Sequence, residues 1–501
     1  MKRSVSVLDA MSDPKLFGSQ FEGGSWAAWR SFLGALFGLR LSAADLELYR
    51  RHTGRERAPP GPFGEAYAIV GRRGGKSRVA SAVAVYLAAL RDYREYLAPG
   101  EVATVMILAQ DRKQARVVYG YCKGLLDSVP LLASMVKNVT AEGIELNNRT
   151  RIEIHTSSFR SVRGYSLAAV IADEVAFWRS EESTDPDVEV VRAVLPGLAS
   201  MPGSLLLGIS SPYSRRGVLW DAHRKHHGNE SSVLVWQADT RSMNPLIAER
   251  IIADAYESDP IAASAEFGAL FRSDVEGFAS LEAVSACVVP GRYELPRTSG
   301  VRYVGFCDPS GGSRDSFTMA VAHREKDLAV LDCVREVRPP FSPEAVVVEF
   351  SGLLKSYGMS QVTGDRYAGE WVNEQFRKHG IRYEPSAKSK SDIYRDLLPQ
   401  INSGRVALLD NDRLTAQLVG LERRTSRAGR DSVDHPPNSH DDLINAAAGA
   451  LVMAVGAPKG RFMLRFSGSS GGSEQRDAAH RNPARAEARA SLLCLRSASI
   501  L

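Results

Sequence analysis

Cysteine is scarce in this chain: Cys122, Cys287, Cys307, Cys333 and Cys494 are odd in number, scattered, and without a C-x-x-C pair. That pattern argues against a disulfide scaffold and a structural zinc site, and points to a reducing compartment. Long apolar runs are missing as well. No stretch approaches the roughly 20 residues of a membrane span, and Met1-Lys2-Arg3 is not followed by the apolar segment of a secretory signal. Nor does most of the chain carry an excess of one charge. The formal net charge is +5, but from Lys459 onward Lys459, Arg461, Arg465, Arg476, Arg481, Arg485, Arg489 and Arg496 face only Glu474, Asp477 and Glu487. The tail thus holds the whole excess, and any grip on nucleic acid in the body must come from local patches. What remains is a globular composition, 44% hydrophobic and 24% charged over 501 residues, long enough for two domains with their own cores.

The most informative stretch is Gly71-Arg72-Arg73-Gly74-Gly75-Lys76-Ser77. It follows the short β-prone run Ala66-Tyr67-Ala68-Ile69-Val70 and precedes an Ala-, Val- and Leu-rich helical pattern, so it reads as strand, glycine-rich turn and helix start. In such a loop the backbone N–H groups and the helix N-terminus hold the phosphates of ATP. Lys76 reaches the terminal phosphates and Ser77 holds Mg2+. The first glycine of the general pattern would fall on Val70 and stands instead at Gly71, which makes the loop one residue tighter.

A second apolar run, Leu167 to Ala172, closes in Asp173-Glu174. An acidic pair at a strand's carboxyl end suits a magnesium contact, assigned to Asp173, and a group that orients the attacking water, assigned to Glu174. A third run ends in Ser210-Ser211-Pro212, whose hydroxyls either sense the terminal phosphate and pass its state on or simply leave the strand in a turn. Of the loop arginines, Arg72 is the candidate for a charge supplied in cis to the transition state, with Arg73 beside it; a surface arginine that only improves phosphate affinity is the alternative. Arg160 and Arg163 stand just before the acidic strand, as DNA or neighbouring-subunit contacts or as a solvated loop.

Trp26, Trp29, Phe32, Leu33, Leu36, Phe37 and Leu39 share a helical spacing, which predicts an N-terminal helix packed on the first domain. Alternating strand and helix patterns then run to about residue 275. Pro290, Gly291 and Pro296 mark a linker over 276–300, and a second α/β unit spans 301–457. The Gly/Ser- and Arg-rich stretch 458–501 is expected to be disordered when unbound.

In the second unit Asp308 follows an apolar strand, Asp365 ends Gln361-Val362-Thr363-Gly364, and Asp441-Asp442 opens a helical run. Carboxylates gathered at one sheet edge repel one another unless a cation sits among them. Oxygen ligands select Mg2+ or Mn2+, and two such ions about 3.5–4 Å apart can activate water and stabilise the leaving oxygen of a phosphodiester. The strand and helix order fits a ribonuclease-H-like nuclease sheet.

Gly71 to Ser77, Val170 to Glu174, Ser210-Ser211-Pro212, Asp308, Asp365 and His440-Asp441-Asp442, in that order, resemble the large terminase subunit of tailed bacteriophages and prophages. The resemblance covers roughly residues 20 to 457. It implies an α/β chain with an N-terminal P-loop (RecA/ASCE-like) ATPase domain followed by a C-terminal ribonuclease-H-like nuclease domain, acting as an ATP-driven translocase that packages double-stranded DNA and cuts it. It makes the loop arginine a cis finger, Ser210 and Ser211 the coupling element, and Asp308, Asp365 and one of Asp441 and Asp442 the metal ligands. Where the family's last motif usually carries a further aspartate this chain has Asn445, which favours Asp442 as third ligand and keeps Asp441 a candidate. Implied partners are a portal protein, a small terminase subunit and further copies in a ring, in the host cytoplasm and away from membranes. Two other readings stand beside it: an ATP-dependent helicase-nuclease of repair or defence, and a weakened prophage remnant that binds DNA or capsid components.

Overall fold

The computed structural model describes residues 5–158, 162–180, 183–365, 369–425, 431–437 and 439–456. The tail expected at 458–501, and Arg160, lie outside them.

The first half is built on eight strands: β1 (Glu65–Val70), β2 (Ala103–Ala109), β3 (Val136–Val139), β4 (Gly143–Leu146), β5 (Thr150–Thr156), β6 (Ser166–Asp173), β7 (Leu205–Ser210) and β8 (Val233–Ala238). Their order is β3-β4-β5-β2-β6-β7-β1-β8. The six from β5 to β8 in that order run parallel, and β4 runs antiparallel between β5 and β3. β1, β2, β6 and β7 are buried almost throughout, as strands covered on both faces must be, which explains their unbroken Val, Ile, Leu and Ala runs. One strand, β7, separates the glycine-rich loop after β1 from the acidic pair after β6. This is the strand order of a RecA/ASCE-like ATPase, and it opens both motifs on the same carboxyl edge of the sheet.

The predicted N-terminal helix is two helices, Ala27–Leu36 and Ala43–Thr53. They part at Gly38, whose φ of 64° is left-handed and where a Cβ would meet the Pro62 nitrogen at 2.4 Å. Only glycine fits that corner.

The second half holds β10 (Tyr303–Asp308), β11 (Phe317–Glu325), β12 (Leu328–Val337), β13 (Gln361–Gly364), β14 (Arg382–Pro385) and β15 (Val406–Ala407), in the order β14-β13-β10-β11-β12-β15. β10, β11 and β12 form an antiparallel meander, and β13 and then β14 add in parallel beside β10. That is the ribonuclease-H-like arrangement. The helix Asp442–Gly456 lies across β10, β11 and β12, approaching so closely that a Cβ at Gly449 would stand 2.2 Å from the Phe306 ring.

The stretch read as a linker at 276–300 is packed against the second sheet. β9 (Val275–Gly277) straddles its start and pairs with β16 (Glu422–Thr425), which also pairs with β17 (Asp431–Asp434). Further on, Val289 N–H donates to the Leu408 carbonyl at 3.1 Å and Leu295 N–H to that of Asp332 at 2.8 Å. Proline and glycine there shape a fitted crossing segment rather than a loose tether.

Candidate nucleotide and nuclease sites

The helix Lys76–Leu90 starts at Gly75, φ 92°, with no side-chain cap. Its first N–H groups are thereby left to an anion, which the helix dipole favours. The loop is braced from three distant places. Trp29 Nε1 donates to the Gly74 carbonyl at 2.8 Å, Thr240 Oγ1 to that of Arg72 at 2.8 Å, and Asn244 Nδ2 to that of Arg73 at 2.9 Å. The displaced first glycine has a steric cause: a Cβ at Gly71 would lie 2.3 Å from Thr240 Oγ1 and 2.5 Å from the Phe267 carbonyl oxygen.

Lys76 is buried, and its Nζ donates to the Val70 carbonyl at 3.0 Å and to Ser211 Oγ at 2.9 Å, with Glu174 Oε1 at 3.4 Å. The other carboxylate oxygen of Glu174 accepts from Ser210 Oγ and from Ser211 N–H, each at 3.1 Å. Glu174 itself has φ 50° and ψ 46°, a left-handed backbone that costs a non-glycine residue about 1–2 kcal/mol and turns its side chain back toward the loop. Asp173 is 5% exposed, and its Oδ1 has no hydrogen-bond partner. Burial pushes its pKa up to about 7; the Glu174 charge adds to this and Lys76 opposes it. A buried carboxylate oxygen without a donor fits a hard cation such as magnesium.

Lys76, Asp173, Glu174, Ser210 and Ser211 thus meet in one place, with Ser77 on the same turn. The arginines differ. Arg72 is exposed and its guanidinium pairs with Glu266 at 3.1 Å, whereas Arg73 is exposed with φ 64°. Arg163 is exposed next to β6.

In the second half Asp308 ends β10, Asp365 follows β13 and Asp442 opens the last helix. Asp308 Oδ2 accepts from Asn445 Nδ2 at 2.8 Å, and Asp442 Oδ2 accepts from Ser316 N–H at 3.0 Å. Burial pushes Asp308 up to about 8; the Asn445 amide opposes this, and the charges of Asp442, Asp365 and Asp441 add to it. Asp442 is also raised, first by burial, with Ser316 N–H opposing. The four aspartates therefore share one electrostatic site, but not one ligand sphere. Among the described residues the acidic or imidazole groups with ligand atoms within 4.8 Å of one another are Asp315, His440 and Asp442, and Asp434, His435 and Asp441. Asp308 and Asp365 belong to neither. Asn445 Oδ1 is buried without a hydrogen-bond partner, and Asp308 and Asp442 each offer the carboxylate oxygens that a hard divalent ion takes.

A cavity of about 240 Å³ is lined in part by Arg179 and Arg216 from the first half and His435 and His440 from the second.

The two sheet orders define an α/β fold of the P-loop type followed by a ribonuclease-H-like fold. No family model matches the chain, and no curated protein matches it. Among solved structures it is similar to the HK97 bacteriophage large terminase at 14% identity, over 83% of this chain and 95% of that one, with a TM-score of 0.36. A large terminase from a thermophilic bacteriophage aligns at 12% identity over 78% of this chain and 94% of its own, also with a TM-score of 0.36. The large terminase nuclease of thermophilic phage G20c aligns at 18% identity over 34% of this chain and 95% of its own, with a TM-score of 0.31.

Proposed function

We propose that this chain is an ATP-driven double-stranded DNA translocase that packages viral DNA into procapsids and cuts it with a metal-dependent endonuclease. On this reading residues 1–275 form the motor and 301–457 the nuclease. The observation that carries it is the pairing, in one chain, of the Lys76–Ser211–Glu174 network at the edge of the first sheet with Asp308 and Asp365 at the ends of neighbouring strands of the second and Asp442 at the start of the helix packed on it.

In the motor the N–H groups at the start of the Lys76–Leu90 helix and the Lys76 ammonium would bind the ATP phosphates, and Ser77 and Asp173 would hold magnesium. Glu174 orients water. Because Ser211 touches both Lys76 and Glu174, a phosphate that draws Lys76 away alters the contacts of Glu174, which gives Ser210 and Ser211 their coupling role. Arg72, in this role, leaves Glu266 when phosphate arrives. In the nuclease Asp308, Asp365 and Asp442 would hold Mg2+ or Mn2+, which would supply charge for water activation and for the leaving oxygen. The arginines of the cavity, Arg179 and Arg216, give the local positive patch for DNA phosphates that a body without bulk charge requires. A portal protein, a small terminase subunit and a homo-oligomeric ring are the partners this activity calls for.

The test is whether purified protein with ATP and magnesium both hydrolyses ATP and linearises a plasmid. Strand separation on a forked duplex would favour the helicase-nuclease instead, and neither activity would leave a DNA- or capsid-binding remnant.

A further inference from the structure

The cavity that Arg179 and Arg216 line brings two positive charges together without a counter-ion. No Asp or Glu stands among its described lining residues, and among the described residues neither guanidinium forms an ion pair. Arg179 Nη1 donates to the Ala176 carbonyl at 3.3 Å and the Trp178 carbonyl at 2.9 Å. Gln110 clamps the Arg179 backbone, accepting its N–H at 2.6 Å and donating to its carbonyl at 2.9 Å. Arg216 Nη1 donates to the Val419 carbonyl at 3.4 Å, from the first half to the second. Burial and then the charge of Arg216 hold the Arg179 guanidinium below its ordinary value, against the pull of Glu422, Tyr213 and Asp187. Two like charges kept together in this way favour an anion between them.

An independent observation comes from the second half. Gln417 is 6% exposed, and its Oε1 accepts from the Ile444 N–H at 3.0 Å, which fixes the other end of the group as the amide. Its Nε2 is buried without a hydrogen-bond partner, and Gln417 lines the same cavity. A buried amide donor left unspent is costly until an acceptor reaches it. The volume of about 240 Å³ is below the roughly 300–1,000 Å³ of sites that bury a drug-sized ligand, so a phosphate group with its water fits and a duplex does not. A second cavity of about 200 Å³ shares Arg179 and Ser183 with the first, but Glu189 lines it, which leaves the first as the place for a negative charge.

We propose that this cavity is a site for a single phosphate group, bound by the guanidinium groups of Arg179 and Arg216 and by the Gln417 amide, and presented either as a terminal phosphate of a DNA strand or as free phosphate. The inference narrows the assignment of these arginines to DNA phosphates, and it rests on that reading for the strand-end source alone. A terminal or free phosphate carries about −1.5 to −2 charge at pH 7 and three acceptor oxygens, enough to engage both arginines and the amide together. Because Gln417 also holds Ile444, an occupant that draws the amide is felt in the first turn of the helix that Asp442 opens.

The test is equilibrium dialysis of radiolabelled inorganic phosphate against the full-length protein, at fixed ionic strength and without divalent ions, in a Lys76→Ala background that weakens the phosphate site of the loop. One phosphate per chain is expected. Gln417→Glu keeps the acceptor for the Ile444 N–H and turns a carboxylate oxygen toward the ligand, and Arg216→Gln removes a charge; each is expected to weaken binding by about tenfold or more. A short single strand with a 5′-phosphate, compared with the same strand without one, separates the sources. A gain of about tenfold that Gln417→Glu abolishes identifies a strand end, and equal affinities identify free phosphate. Phosphate binding that a folded variant leaves unchanged would overturn the proposal, as would no phosphate binding together with no gain from the 5′-phosphate; both leave the motor and nuclease reading intact. If one variant does not fold, the other still decides. A protein that takes phosphate here but binds neither single strand nor duplex would remove the DNA assignment and keep the site.

Discussion

At the proposed nucleotide site, Lys76 divides its ammonium among a carbonyl, a hydroxyl and, at 3.4 Å, the Glu174 carboxylate; beside the proposed nuclease site, Lys390 closes on Asp434 at 2.7 Å and Asp441 at 3.0 Å. Both lysines sit at helix starts, where the dipole opposes them. The first is held by contacts that a polyphosphate can replace with stronger, charge-assisted ones. The second is bound by two carboxylates and has little to gain by leaving. One basic side chain is therefore poised for exchange with a ligand and the other fixed as part of the frame.

The largest effect should come from removing the group at the centre of the nuclease. Asp308→Ala is expected to lower metal-dependent plasmid cleavage on the order of a thousandfold, with ATP turnover preserved. Cleavage that survives this change would show the nuclease assignment to be wrong. Lys76→Ala or Glu174→Ala should cost ATP hydrolysis on the order of a hundredfold, read as phosphate release; turnover within a few-fold of the parent would contradict the exchange described for Lys76.

Next comes packing. Gly449→Ala would set a Cβ 2.2 Å from the Phe306 ring and force the ring to move, which is expected to destabilise the second half by about 1–3 kcal/mol in denaturant unfolding. An unchanged midpoint would mean that the helix and sheet are less tightly fitted than they stand here.

The acids give a pH dependence of defined sign. Asp308 is raised to about 8 and Asp173 to about 7, whereas an unfolded aspartate titrates near about 3.9. Between those limits the folded chain binds protons that the unfolded chain has released. The stabilisation is complete below the unfolded value and is lost as pH rises through the folded ones. Ion-free protein should therefore melt lower at pH 9 than at pH 6, and Asp308→Asn should blunt that fall by about 2–4 °C. A variant whose melting tracks the parent at every pH would reject the shift. Smallest is the tail. Deleting residues 459–501 should flatten the salt dependence of DNA affinity, by roughly 0.9 in log–log slope for each phosphate that the tail neutralises, and an unchanged slope would assign the grip to the body.

Much of both centres can be read from the sequence because their chemistry sits at strand ends, where a buried run stops abruptly at a charged residue. Asp173, Glu174 and Asp308 announce themselves this way, and Lys76 and Asp442 by opening the helices that follow a glycine-rich turn and a polar loop. The bracing residues do not. Trp29, Thr240 and Asn244 come from segments far from the loop and look like core or turn residues until the chain folds around Gly71. Lys390 is equally silent, since a lysine opening a helix ordinarily faces solvent, and only the end of β17 and the residue before the last helix bring Asp434 and Asp441 to it. The crossing segment at 276–300 misleads for another reason: weak periodicity describes an irregular backbone but not whether its N–H groups find partners in a neighbouring sheet.

The loop that leaves β7 carries Ser210 and Ser211 against Glu174 and Lys76, and two residues beyond Ser211 the Tyr213 hydroxyl donates to buried Glu422 on β16 at 2.8 Å. That bond joins the two halves like a pushrod. If the arrival or departure of a phosphate displaces the serines, the short span to Tyr213 leaves little slack to absorb the stroke. Glu422 must then travel with it or lose its partner, and the strand it moves pairs with the one that ends in Asp434.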